Sequence, residues 1–313
     1  MSDPTLALTF PGQGSQSPRM LAGLGEREPA IVETFAEASA GAGVDLWALV
    51  QTGPGEQLDR TEFTQPALLA AGVAVYRLWR ARGGAQPAQM AGHSLGEYTA
   101  LVAAGALPLE QAARLVRTRG QLMQDAIAPG EGAMAAVIGA EDALVEQVCA
   151  EVSGSRVVAP ANYNSPGQIV IAGHADAVDA ALAALAERGV RKTVKLAVSV
   201  PSHTVLMGEA AERLAEAMDG LDWTMPEIPV IQNVEAHTSS DISSLRAALV
   251  QQLFRPVRWT GCIHALAQAG ATRLGECGPG KVLTGLARRI DRALDARALG
   301  TPEDLDAALA AWA

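Results

Sequence analysis

Apolar and polar residues along this chain fall into two periods, and the switches between them mark out its elements. Leu6 to Phe10 is a short apolar run that stops at Pro11-Gly12-Gln13-Gly14-Ser15-Gln16, the pattern of a buried strand. Thr64 to Arg82 keeps apolar residues at helical spacing behind a threonine, which predicts a long helix capped by Thr64. A strand ending at Met90 follows, and Pro229 to Ile231 and Thr272 to Leu274 read as further strands. Strands alternating with helices predict an α/β fold, with a mainly parallel sheet covered on both faces.

From about Glu131 to Ser199 the order changes to strand (133–138), helix (141–152), strand (156–161), strand (168–172), helix (175–188), strand (191–198). That β-α-β-β-α-β succession is the split motif of ferredoxin-like folds, and Val178, Ala181, Leu182 and Leu185 give the second helix one apolar face to lay on a sheet. Residues 131–199 therefore read as a small domain inserted into a larger one made of 1–130 and 200–313, with a cleft where they meet.

The chain has 313 residues, 49% hydrophobic and 19% charged, enough for a sizeable core. A formal net charge of −10 argues against nucleic acid or an anionic membrane surface as a partner. Cys149, Cys262 and Cys277 are odd in number and far apart, so neither a disulfide framework nor a zinc site is indicated and a cytoplasmic location is expected. No basic segment precedes the first apolar run, and no apolar stretch reaches membrane-spanning length.

Candidate chemistry centres on Gly92-His93-Ser94-Leu95-Gly96, a G-x-S-x-G frame between a strand and a helix. A sharp strand-to-helix turn needs glycines where Cβ atoms would clash, and it leaves the serine exposed at a helix N-terminus that favours negative charge. A serine nucleophile needs a base. Of five histidines, His93 should pack away from Ser94, while His174 and His264 read as structural. His203 stands where the chain leaves the insert and is the first candidate, with His237 in reserve. No Asp or Glu occupies a recognisable third position, so a carbonyl is expected to orient the imidazole.

On the helix predicted over 109–127, Arg119 has Leu115, Val116, Leu122 and Met123 at the offsets that share its face, whereas Arg117 has Ala113, Arg114, Gly120 and Gln121. Arg119 should point inward, paired either with an internal carboxylate or with a substrate carboxylate, and Arg117 should be solvated. Gly275-Glu276-Cys277-Gly278-Pro279-Gly280-Lys281 fits a phosphate loop in spacing. Val282 stands where Mg²⁺ needs a hydroxyl, and Pro279 lacks an N–H, so a plain strand-to-helix turn is the better reading.

Taken in order, Phe10-Pro11-Gly12-Gln13-Gly14-Ser15-Gln16, Gly92-His93-Ser94-Leu95-Gly96-Glu97, Arg119-Gly120, Val200-Pro201-Ser202-His203 and Gly278-Pro279-Gly280-Lys281 closely resemble the malonyl-CoA:acyl carrier protein transacylase family. The resemblance implies an α/β-hydrolase-like body with a ferredoxin-like insert. It implies Ser94 as the acylated nucleophile, His203 as base, Arg119 as the carboxylate-binding residue, Gln13 and Leu95 as oxyanion-hole amides, and Gln252 as the residue whose carbonyl orients the histidine. Malonyl-CoA would be the substrate and acyl carrier protein the partner, with phosphopantetheine on the carrier and no metal or cofactor in the enzyme. A monomer is expected. Arg188, Arg191, Lys192, Lys281, Arg288 and Arg289 are candidates for docking an acidic carrier. The alternatives are a malonyl acyltransferase acting in trans for polyketide synthesis, a serine esterase or thioesterase, and a carrier-binding module without activity.

Overall fold

The computed structural model describes residues 2–198 and 200–312. Its larger sheet has five strands, β1 (Ser2–Phe10), β2 (Gln86–Gly92), β7 (Val230–Ile231), β8 (Arg273–Glu276) and β9 (Asp295–Ala298), in the order β7-β2-β1-β8-β9. All four pairings are parallel. Successive side chains of a strand point to opposite faces. Leu6, Leu8 and Phe10 accordingly enter one core, shared with the Thr61–Ala81, Leu95–Ala103 and Leu109–Asp125 helices, while Ala7 joins a second core with Trp259, Ile263 and Leu286. Both faces are therefore covered, as the apolar run in β1 requires.

The smaller sheet is built wholly between Gly132 and Lys195, from β3 (Gly132–Ile138), β4 (Val158–Ser165), β5 (Gln168–His174) and β6 (Lys192–Lys195). Its order is β4-β5-β3-β6 and every pairing is antiparallel. The helices Asp142–Val152 and Ala175–Glu187 pack on it, burying Val145, Val148, Val178, Ala181 and Leu185. Two interleaved β-α-β units give this order, so the predicted succession is present. Its last strand is shorter than expected: after Lys195 only the Leu196 N–H continues the ladder, to Met134 O at 2.9 Å. Ser199, the expected end of the insert, lies outside the described residues.

Three local readings need correction. The long helix starts at Thr61, not Thr64: the Glu62 N–H is served by Gln124 Oε1 at 3.0 Å, and Thr64 Oγ1 donates back to the Leu58 and Arg60 carbonyls instead of accepting as a cap would. The sequence after His203 reads as one helix over 204–218, but the structure divides it into a 3₁₀ turn, Val205–Met207, and an α-helix, Gly208–Ala217. Arg117 is half-buried, not solvated, because its guanidinium sits 5.4 Å from the Phe63 ring centroid and donates to the Ala42 carbonyl at the end of the Pro29–Ala42 helix.

The small sheet is stitched to the larger body beside the cleft. Tyr163 N–H donates to Val257 O and Val257 N–H to Ala161 O, each at 2.9 Å, which fixes β4 against the segment following the Ile242–Gln252 helix. The basic stretch Arg255-Pro256-Val257-Arg258 thus has a structural task in its backbone, while Arg255 pairs with Glu235.

Candidate active site

Ser94 closes β2 and precedes the Leu95–Ala103 helix with φ 52° and ψ −109°, a conformation a non-glycine residue holds only under constraint. A Cβ on Gly92 would lie 1.8 Å from the Gly96 carbonyl carbon, and one on Gly96 would lie 2.0 Å from Phe10 O. Both glycines are therefore obligatory for this turn. The constraint comes from Asn233, whose Oδ1 accepts the Ser94 N–H at 2.7 Å while its Nδ2 donates to Gly92 O at 2.7 Å. Sequence reasoning missed Asn233: it follows β7 and reaches the turn only through the parallel pairing of β7 with β2.

His203 Nε2 lies 2.9 Å from Ser94 Oγ, and its Nδ1 is 2.6 Å from the Gln252 carbonyl. Since a carbonyl only accepts, Nδ1 carries the proton and Nε2 is free to take one from the serine. Gln252 ends the Ile242–Gln252 helix, so the orienting carbonyl belongs to the negative end of a helix dipole, which favours an imidazolium as it forms. Burial first, then the Arg119 charge, push the His203 pKa down to about 3, leaving the ring neutral and able to accept at neutral pH. His203 also has positive φ, 65°, and its N–H is tied to Leu253 O at 2.8 Å.

Arg119 is 1% exposed, on the inward face that its spacing predicts. Nη1 donates to Gln65 Oε1 at 2.8 Å and Nη2 to Gln252 Oε1 at 3.0 Å, with Ser94 Oγ 3.4 Å from Nη2. Among the described residues its hydrogen-bond partners are all neutral, so the internal-carboxylate alternative is not the arrangement found. A buried guanidinium without its own carboxylate is costly, and it is poised to bind one.

These groups open on a cavity of about 170 Å³. Gln13, Ser94, Leu95, Arg119 and His203 share its wall with Asn164 of the small sheet. The Gln13 and Leu95 amides have no protein acceptor among the described residues, whereas the Ser94 N–H is already taken by Asn233. His93 also lines the cavity, hydrogen-bonded to Asn164 Oδ1 at 2.8 Å and packed on Trp259 with ring centroids 5.4 Å apart. Strand alternation predicts its packing but not this bond across the cleft.

The remaining candidates fall elsewhere. His237 and His264 are exposed and away from the cavity, and His174 Nδ1 accepts the Val157 N–H inside the small sheet. In the phosphate-loop look-alike, Glu276 accepts from the Leu283 and Thr284 amides at 3.1 and 2.7 Å. The chain's own carboxylate thus fills the helix N-terminus where a nucleotide phosphate would sit.

A family model described as acyl transferase domain matches residues 8–283. The chain belongs to the acyl transferase family, among the malonyl CoA-acyl carrier protein transacylases. It is 51% identical to the malonyl CoA-acyl carrier protein transacylase of Escherichia coli (strain K12) over 97% of this chain and 98% of that one. The crystal structure of malonyl-CoA:acyl carrier protein transacylase from Xanthomonas oryzae pv. oryzae superposes with a TM-score of 0.99 at 67% identity, covering 100% of both chains. A malonyl-transacylase solved in complex with its type II PKS acyl-carrier protein matches at a TM-score of 0.96 and 48% identity, covering 98% of this chain and 99% of that one. The mixed α/β architecture of this transacylase family member, a parallel sheet plus a small antiparallel one, is shared with these structures. Among the described residues no helix is long and apolar enough to cross a membrane.

Proposed function

We propose that this enzyme moves malonyl from malonyl-CoA to the phosphopantetheine thiol of acyl carrier protein through an ester on Ser94, supplying fatty acid synthesis. His203 Nε2 takes the Ser94 proton as Oγ attacks the thioester carbonyl, and the Gln13 and Leu95 amides donate to the resulting oxyanion. Collapse of the tetrahedral intermediate breaks the C–S bond, and His203 returns its proton to the departing CoA thiolate. The carrier thiol then repeats the sequence in reverse on the malonyl-serine ester. Arg119 holds the malonyl carboxylate throughout. Each step uses side chains and amides already in place, and the reaction is read as needing no metal or cofactor, in a monomeric cytoplasmic enzyme whose mass in solution sedimentation can test.

The observation that carries this reading is Arg119, buried 3.4 Å from the nucleophile oxygen with only neutral partners. A hydrolase acting on uncharged acyl groups has no use for such a residue. For the carrier, Arg191 and Lys192 are exposed, whereas Arg188 and Lys281 are already paired with Glu151 and Asp304. The test uses radiolabelled malonyl-CoA and holo carrier. Label should reach the carrier, and mass spectrometry without carrier should find malonate esterified to Ser94. Label released as free malonate would indicate a thioesterase instead, and a panel of fatty acid and polyketide carriers would identify the pathway by rate.

A further inference from the structure

Glu97 is an ionisable group beside the nucleophile that takes no part in the steps above. It lies in the first turn of the Leu95–Ala103 helix, fully buried. Its Oε2 accepts the Asn233 N–H at 2.9 Å and Gln252 Nε2 at 2.8 Å, and its Oε1 accepts Gln232 Nε2 at 3.2 Å. Burial pushes its carboxyl up to about 7 even though these three donors, and then the Arg119 charge, oppose the shift.

Two of the three residues that Glu97 holds act directly on the site. Asn233 clamps the Ser94 turn through Gly92 O and Ser94 N. Gln252 presents its backbone carbonyl to His203, its Nε2 to Glu97 and to Ser94 O at 3.0 Å, and its Oε1 to Arg119. Arg119 sets the orientation of that amide, because a guanidinium only donates: Oε1 must face it, and Nε2 is left to face Glu97. The result is a relay in which carboxylate, amide and guanidinium are joined in series.

We infer that Glu97 is a positioning residue that fixes Asn233 and the Gln252 amide and, through that amide, supplies the counter-charge of Arg119 at one remove. The arrangement solves a specific problem. A carboxylate paired directly with Arg119 would occupy the fork that a substrate carboxylate needs, whereas a relayed charge stabilises the buried guanidinium and leaves donors available. An amide at position 97 carries no charge and has one acceptor oxygen; with that oxygen serving Asn233 and Gln252, its NH₂ meets Gln232 Nε2, so the counter-charge is lost and two buried donors face each other.

This inference rests on the transfer reaction proposed above. Glu97→Gln should lower kcat/KM for malonyl-CoA by about 10- to 100-fold, with KM rising, and should reduce the malonyl-to-acetyl preference by about 10-fold. Rates are expressed per Ser94 titrated in the acylation burst, so a merely loosened fold would lower both substrates alike and leave the preference unmoved. A folded Glu97→Gln enzyme with unchanged KM and preference would overturn the inference. If that variant does not fold, Glu97→Asp keeps the charge but is one methylene too short to reach Asn233 and Gln252 together. Its malonyl KM should rise by at least about threefold with a lowered preference, and unchanged values would again overturn the inference. Wild-type enzyme that transfers no malonyl would remove the reaction and the inference together, whereas wild-type transfer beside an indifferent Glu97→Gln would remove the inference alone.

Discussion

Arg119→Ala separates recognition of the malonyl carboxylate from every other function of the site. In the reaction proposed above a malonyl carboxylate meets a guanidinium that is 1% exposed and held by Gln65 and Gln252. Without it, the carboxylate enters the same enclosed space unpaired, and removing one partner of a buried pair costs on the order of 3–5 kcal/mol. The lower bound corresponds to about 160-fold in kcat/KM and the upper to several thousandfold. An acetyl group brings no carboxylate, so its loss is limited to the long Nη2 contact with Ser94 Oγ, where a charge-assisted hydrogen bond of about 1.5 kcal/mol gives roughly 13-fold. The malonyl-to-acetyl ratio should therefore fall at least about 10-fold. Steady-state transfer of both acyl groups to holo carrier, with active sites counted by the acylation burst, measures it. Equal losses for the two substrates would refute the assignment of Arg119 to the carboxylate.

Other outcomes follow from buried titratable groups. An unfolded histidine titrates near 6.5 and His203 near 3, so between these values the unfolded chain binds more protons and stability falls as the pH drops. Between pH 6.5 and 5, His203→Gln should lose about 1.6 kcal/mol less stability than the wild type in denaturant titrations, and parallel curves would contradict this. Glu276→Ala removes the acceptor for the first amides of the Val282–Ile290 helix and should cost about 2 kcal/mol in the same assay; an unchanged midpoint would mean water replaces it without loss. Cys149, Cys262 and Cys277 are buried, and burial raises all three thiols, Cys149 to about 12. Iodoacetamide should leave the native enzyme active while a serine-directed phosphonofluoridate abolishes activity, and inactivation by the thiol reagent would point to a different nucleophile.

What could be read in the sequence was whatever depends on short-range spacing. Gly92 and Gly96 flank Ser94 closely enough for their steric purpose to be evident, and helical phase separates Arg119 from Arg117. The same phase argument placed Arg117 in solvent, because it could not foresee Phe63 and the Ala42 carbonyl crossing above it. Asn233 and Glu97 were missed for a related reason. Asn233 belongs to no recognisable local motif, nothing in the motif that ends at Glu97 assigns that carboxyl a partner, and each acquires its task only when the sheet brings segments 136 residues apart into hydrogen-bond contact. The carbonyl of Gln252 was anticipated from the resemblance, but its side chain, bonded at both ends, was not.

Ser94 and His203 are two of five non-glycine residues with positive φ among those described. A backbone held in this region costs of order 1–3 kcal/mol per residue, so the proposed nucleophile and base are also a local deficit in the stability of the fold. Replacing Ser94 by glycine would relax the turn and yield a protein at least as robust and wholly inert. Selection for thermal tolerance alone would therefore favour silence at these positions, and efforts to harden the enzyme should be directed to its surface and helix ends, where stability and turnover do not compete.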